Sequence, residues 1–147
     1  MIGNLTHASP SDGPVFDTQV ESVRKTMARL SDTIPAIYVP GSHDVGSVPT
    51  VASLHAYRER FGADYFGFWF GGMRGVVINS SLMISPQGAP DEAARQEMWL
   101  TEEVEQCKLC SNCIVVFSYH PWFVSDIDEP DVETTDGTTR LVAPVHL

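Results

Sequence analysis

A serine, a histidine and an aspartate stand side by side in the stretch Val39-Pro40-Gly41-Ser42-His43-Asp44-Val45-Gly46. An imidazole backed by a carboxylate can serve as an acid–base pair, because the carboxylate selects the ring tautomer and raises its proton affinity. The apolar run Ala36-Ile37-Tyr38-Val39 before the trio reads as a buried strand. Pro40 and Gly41 break that pattern, which places His43 and Asp44 in a loop at a strand's carboxyl end. Open α/β sheets gather ligands at that edge. The same residues also suit a plain turn, with Asp44 bonded to its own backbone and His43 simply exposed.

Two other stretches carry ligand-type side chains. Cys107, Cys110 and Cys113 form a C-x2-C-x2-C run. That spacing suits three corners of a zinc or iron–sulfur site, with His120 or His146 needed as the fourth. The run crosses from a helix end into a strand, however, so its side chains diverge, and small buried thiols are the default reading. Residues 126–133 are dense in carboxylates but lack the glycine and spacing of a calcium-binding EF-hand loop. They read as an acidic loop.

Strands and helices alternate around these residues. Residues 1–5 read as a strand fragment, followed by a turn-rich loop at 8–14. Asp17 is placed to cap a helix whose Val20, Val23, Met27 and Leu30 recur at core spacing. A second helix opens at Ser47-Val48-Pro49-Thr50 and runs to about residue 60. Leu54, Tyr57, Arg58 and Phe61 mark its inner edge, and Gly62 stops it. Residues 65–70 and 75–79 read as a β-hairpin through Gly71-Gly72, with the aromatic residues Tyr65, Phe66, Phe68, Trp69 and Phe70 as core. The segment Asn79-Ser80-Ser81 then lies at a strand end, within reach of the candidate site. A third helix spans about 90–105, with Ala94, Met98, Leu100 and Val104 inward and Glu92, Glu97, Glu102, Glu103 and Glu105 outward. Residues 114–117 are a short apolar strand of the kind buried on both faces. Alternation of this sort predicts α/β layers.

The chain of 147 residues is long enough for one domain, 1–147, with a core. A formal net charge of −10 argues against a nucleic-acid partner, which calls for basic patches. No membrane span or secretory leader is legible, which predicts a soluble, cytoplasmic protein.

Three stretches together resemble a known family. They are Met1-Ile2-Gly3-Asn4-Leu5-Thr6-His7, Pro40-Gly41-Ser42-His43-Asp44-Val45-Gly46, and Val115-Val116-Phe117-Ser118-Tyr119-His120-Pro121-Trp122-Phe123. Residues 61–72 and Gln96-Glu97-Met98-Trp99-Leu100 support them. They are similar to motifs of the calcineurin-like metallophosphoesterases, in particular the calcineurin-like phosphoesterase domain protein 1 group. The resemblance covers most of the chain in order. It implies a partial metallophosphoesterase sandwich of two β-sheets flanked by helices, with the first and last family motifs falling before Met1 and beyond Leu147.

The family chemistry uses two divalent cations, manganese, iron or zinc, about 3.5–4 Å apart, which activate a shared hydroxide against a phosphate ester. Carried over by position, the proton-donor His falls on His43 and its orienting Asp on Asp44. The metal-ligand positions are altered. The bridging Asp falls on Asn4, the Asn ligand on Ser42, and a His ligand on Tyr119, with His120 one step further along. Adjacent side chains of an extended segment point in opposite directions, so His120 substitutes only if the loop shifts register. The resemblance therefore implies a phosphatase-like hydrolase domain that is inactive or strongly impaired, a pseudoenzyme. Two alternatives stand beside it. One is an active phosphoprotein phosphatase with divergent ligands and a phosphorylated substrate. The other is a non-catalytic subunit whose truncated sheet edges take a protein partner or a second copy.

Overall fold

The computed structural model of the chain describes residues 1–110 and 114–122. Cys113, the acidic stretch 126–133 and residues 141–147 lie outside the described residues.

Pro14, with its fixed φ, begins helix α1 (Pro14–Met27) immediately after Gly13. Asp17, expected as the cap, instead sits inside the first turn and pairs with Arg60 at 2.6 Å. The inner stripe is also shifted: Phe16 and Val20 are buried with Ala8 and packed by Phe61, while Leu30 is exposed past the helix end. Helix α2 (Ser42–Val45) is a single turn. Helix α3 (Val51–Phe61) follows, and Thr50 caps it by accepting from the Ser53 backbone N–H. It ends at Gly62 with φ 92°, and Leu54 and Tyr57 are buried as expected.

Strands β1 (Phe66–Phe70) and β2 (Met73–Val77) form the expected antiparallel hairpin. Gly71 and Gly72 both take positive φ, which a two-residue turn matched to strand twist requires. After the short helix α4 (Ser80–Ile84) comes the long α5 (Pro90–Cys110), and then β3 (Ile114–Phe117), which pairs parallel with β2. The result is an α/β fold: a mixed three-stranded sheet in the order β1-β2-β3, flanked by helices. Among the described residues this is the one sheet; the second sheet of the expected sandwich is not among them.

Helix α5 covers one face of the sheet, where Val76, Ile78 and Leu100 are buried with Trp99, Val104, Ile114 and Trp122 around them. It runs five residues beyond the expected end, because no glycine or proline interrupts it and Cys107 continues the buried stripe. Leu100 and Val104 pack inward as expected, but the rest of the inward set differs. Gln96, Leu100, Glu103 and Cys107 are buried, whereas Met98 is 64% exposed and Ala94 is also exposed. Glu103 and Glu92 turn inward because arginines on other elements, Arg74 and Arg58, meet them there.

The hairpin aromatics are not fully buried either. Phe66, Phe68 and Phe70 alternate onto the sheet face opposite α5, where Phe68 stacks on Phe70 at 5.4 Å and meets Phe117 at 5.9 Å. Trp69 is 54% exposed, with the Arg74 guanidinium 5.3 Å from its ring. β3 is half-buried rather than covered on both faces. Among the described residues, no helix is long and apolar enough to cross a membrane.

Candidate functional site

Two expected strands shrink to an isolated bridge. Residues 1–5 and 36–39 meet at one parallel bridge, Ile2 with Val39, made by Gly3 N–H to Val39 C=O and Val39 N–H to Met1 C=O, both 2.9 Å, with the Met1 amino group donating to the Ile37 carbonyl at 2.7 Å. Beyond it the first segment turns sharply, since Gly3 (φ 56°) and Asn4 (φ 45°) are both left-handed. Glycine and asparagine tolerate that region best. The second segment passes Pro40 and Gly41 into α2, so Ser42, His43 and Asp44 form the first turn of a helix, not an open loop.

Asp44 holds that turn closed. Its Oδ2 accepts from Gly41 N–H at 2.8 Å and its Oδ1 from Thr6 N–H at 3.3 Å. Both carboxylate oxygens thus serve the backbone, tying α2 to the segment after Asn4. Burial pushes the Asp44 carboxyl above its ordinary value, although the hydrogen bonds from Gly41, Thr6 and Leu5 and the neighbouring His43 work the other way. The His43 ring lies 5.7 Å from that of His7. Its Nδ1 is shielded from solvent and finds no hydrogen-bond partner among the described residues. Asp44 and His43 are neighbours in space, and the carboxylate is engaged elsewhere.

Asn4 joins the three stretches singled out in the sequence. Its Oδ1 accepts from the His43 backbone N–H at 3.1 Å, and its Nδ2 donates to the Tyr119 hydroxyl at 2.8 Å. The approach is close on both sides. A Cβ on Gly41 would stand 2.4 Å from the Asn4 nitrogen, and one on Gly3 would stand 1.9 Å from the Tyr119 ring. Ser42 is half-buried at the start of α2.

His120 faces away from this group. Its Nδ1 lies 2.9 Å from Ser80 Oγ, and its backbone N–H donates to the same oxygen at 3.1 Å. Ser118 Oγ–H donates to the His120 carbonyl at 2.8 Å, closing the turn. Burial lowers the imidazole's proton affinity and favours the neutral ring. Tyr119 and His120 therefore point to different neighbours, Asn4 and Ser80.

Ser80 is held by a buried network that hydrophobic patterning does not reveal. Asn79 caps α4 through Oδ1, which accepts from Leu82 N–H at 3.2 Å, and its Nδ2 donates to Asp64 at 3.0 Å. Gln96 grips the Asn79 backbone on both sides, N–H to Oε1 at 2.8 Å and Nε2 to C=O at 3.1 Å. Arg58 links Asp64 to Glu92. The legible signals were Asn79-Ser80-Ser81 at a strand end and the supporting stretches that contain Asp64 and Gln96, none of which showed that the three would bond.

Cys107 is buried in α5 with its Sγ 3.9 Å from Glu103 Oε1, and Cys110 is the last residue of that helix. Among the described residues, no three His, Cys, Asp or Glu side chains come together in a way that could hold a metal ion.

No family model matches the chain, and no solved structure matches it. Curated relatives do. The serine/threonine-protein phosphatase CPPED1 of Homo sapiens is 33% identical over 133 residues, covering 89% of this chain and 42% of the relative. The proteins of the same name from Pongo abelii and Danio rerio are 32% and 30% identical over the same shares. The chain thus spans 42% of the length of the relatives it matches, and over that span it is a distant homologue of the CPPED1-type calcineurin-like phosphoesterases.

Proposed function

We propose that this chain is part of a calcineurin-like metallophosphoesterase sandwich whose phosphoesterase activity is impaired or lost. In this reading His43 occupies the proton-donor position and Asp44 fixes the turn that carries it. Asn4, Ser42 and Tyr119 occupy the ligand positions. The homology to CPPED1 phosphatases supports the family part of the reading. The state of Asn4 carries the rest.

A two-cation site draws its affinity from anionic oxygens, which offset the repulsion between the cations. Asn4, Ser42 and Tyr119 are a neutral amide and two neutral hydroxyls. The Asn4 amide is also already engaged at both ends, by the His43 N–H and the Tyr119 hydroxyl. This donor set does not fit a pair of divalent cations. His120, next to Tyr119, is directed at Ser80. Without an activated hydroxide, an imidazole positioned to donate a proton has no attack to assist.

The test is turnover of p-nitrophenyl phosphate and a phosphoserine peptide with and without manganese. Wild type is expected to match a His43→Ala control. Manganese-dependent turnover that His43→Ala abolishes would establish the alternative, an active phosphoprotein phosphatase with divergent ligands. The half-exposed row of Phe66, Phe68, Phe70 and Phe117 favours a second role in assembly with a protein partner or another copy. A sedimentation coefficient that stays monomeric at every concentration and with every candidate partner would remove that role.

A further inference from the structure

We infer that the open groove between α1 and α3 binds an extended peptide segment carrying an acidic side chain, with Arg60 as the anchor for its carboxylate.

The groove encloses about 630 Å³, within the roughly 300–1,000 Å³ usual for ligand sites. Phe16 of α1 and Val45 of α2 line it and are buried. Ala52 and Ala56, one turn apart on α3, carry too little side chain to fill the space. Arg60 lines the same groove, and its guanidinium is fixed by three contacts. It lies 5.3 Å from the centre of the Phe16 ring, Nη1 donates to the Ala56 carbonyl at 3.3 Å, and Nη2 donates to Asp17 at 2.6 Å. Those bonds use two of a guanidinium's five N–H groups, and the rest find no partner among the described residues. A fork already held in place loses little freedom when it binds an oxyanion. Its present counterion, Asp17, is 61% exposed, and an ion pair that open to water is a weak competitor.

The dimensions suit a peptide. From Ala52 to Arg60, α3 rises about 12 Å, the length of about four residues of extended chain. Ser11 and Ser47 add hydroxyls that both donate and accept, as a peptide backbone requires. The walls include Ser9 and Val45, each two residues past a histidine, His7 and His43, whose rings lie 5.7 Å apart. Groove and candidate site thus share these two stretches of chain. Binding here uses neither a cation nor hydrolysis, so it stands apart from the loss of activity proposed above.

Backbone amide shifts of the full chain, titrated with the acetylated and amidated pentapeptide Gly-Ala-Glu-Ala-Gly, test the inference. Shifts are expected at Ser11, Gly13, Gly46, Ser47 and Arg60, and the analogues with Gln or Lys in place of Glu should bind about tenfold more weakly. Arg60→Lys keeps the charge but removes the fork, and should also weaken binding about tenfold. Ala52 is exposed, so Ala52→Leu should block the groove and leave Tm unchanged. Absence of these shifts at millimolar peptide, or equal affinity for the Gln analogue, would overturn the inference. A Lys analogue bound more tightly would do the same, by making Asp17 the anchor. So would unchanged affinity in Arg60→Lys or in Ala52→Leu. Shifts of the same amides with protein concentration alone would give the groove to a second copy and likewise overturn it.

Discussion

Gln96→Leu should be among the most damaging single changes available in α5, although it replaces a polar residue in a helix with a good helix former of similar size. Gln96 is fully buried, and its side chain does for the end of β2 what a neighbouring strand would do. Leucine leaves the Asn79 N–H without its acceptor in a fully buried position, at a cost of about 1–3 kcal/mol. The Asn79 carbonyl loses one donor but keeps another, the Met83 N–H at 3.3 Å, so its share is nearer 1 kcal/mol. The sum is about 2–4 kcal/mol, a large part of the 5–15 kcal/mol typical of a domain. With a urea dependence of about 1–3 kcal/mol per molar, the midpoint should fall by about 1–2 M. Gln96→Glu gives an internal control. Ionised, it keeps the acceptor but sets an oxygen against the Asn79 carbonyl; protonated, it can donate again. Its deficit relative to wild type should therefore narrow as the pH falls into the acid range. Urea melts of the three proteins at several pH values read both effects. A Gln96→Leu midpoint within experimental error of wild type, at unchanged slope, would show that this backbone grip contributes little.

Two further outcomes follow from the same packing. Glu92 is held below its ordinary value of 4.5, first by its hydrogen bond from Arg58. Its contribution is thus present above about that pH and is lost as pH falls through the lower folded-state value. Glu92→Gln should be less stable than wild type near neutrality and lose less on acidification, and parallel pH–stability curves would contradict this. Gly75→Ala should cost about 1–3 kcal/mol, because the new Cβ would stand 2.4 Å from the Phe68 ring across the hairpin. Phe68→Leu in the same chain should recover part of that loss, whereas strictly additive melts would place the clash elsewhere.

Local rules were enough for α3 and the β1–β2 hairpin. Thr50 ahead of an apolar run, Gly62 behind it, and paired glycines between alternating strands act within a few residues of chain, so their consequences are readable there. The stretches around Asn4, His43 and Tyr119 were likewise legible as a set, and they meet in the fold. What they do to one another was not. The Asp44 carboxylate might equally have faced the His43 ring; it faces the Gly41 and Thr6 N–H groups because residues 4–6 run alongside α2. The orientation of α5 was misread for a related reason. Hydrophobic periodicity assigns Glu103 to solvent and gives Gln96 no side, yet each is buried because a partner more than fifteen residues away supplies the missing half of a hydrogen-bonded pair. Burial of an apolar side chain needs only removal from water, which patterning records. Burial of a polar one needs a specific partner at a specific distance, and that is decided only when β2 and α5 are brought together.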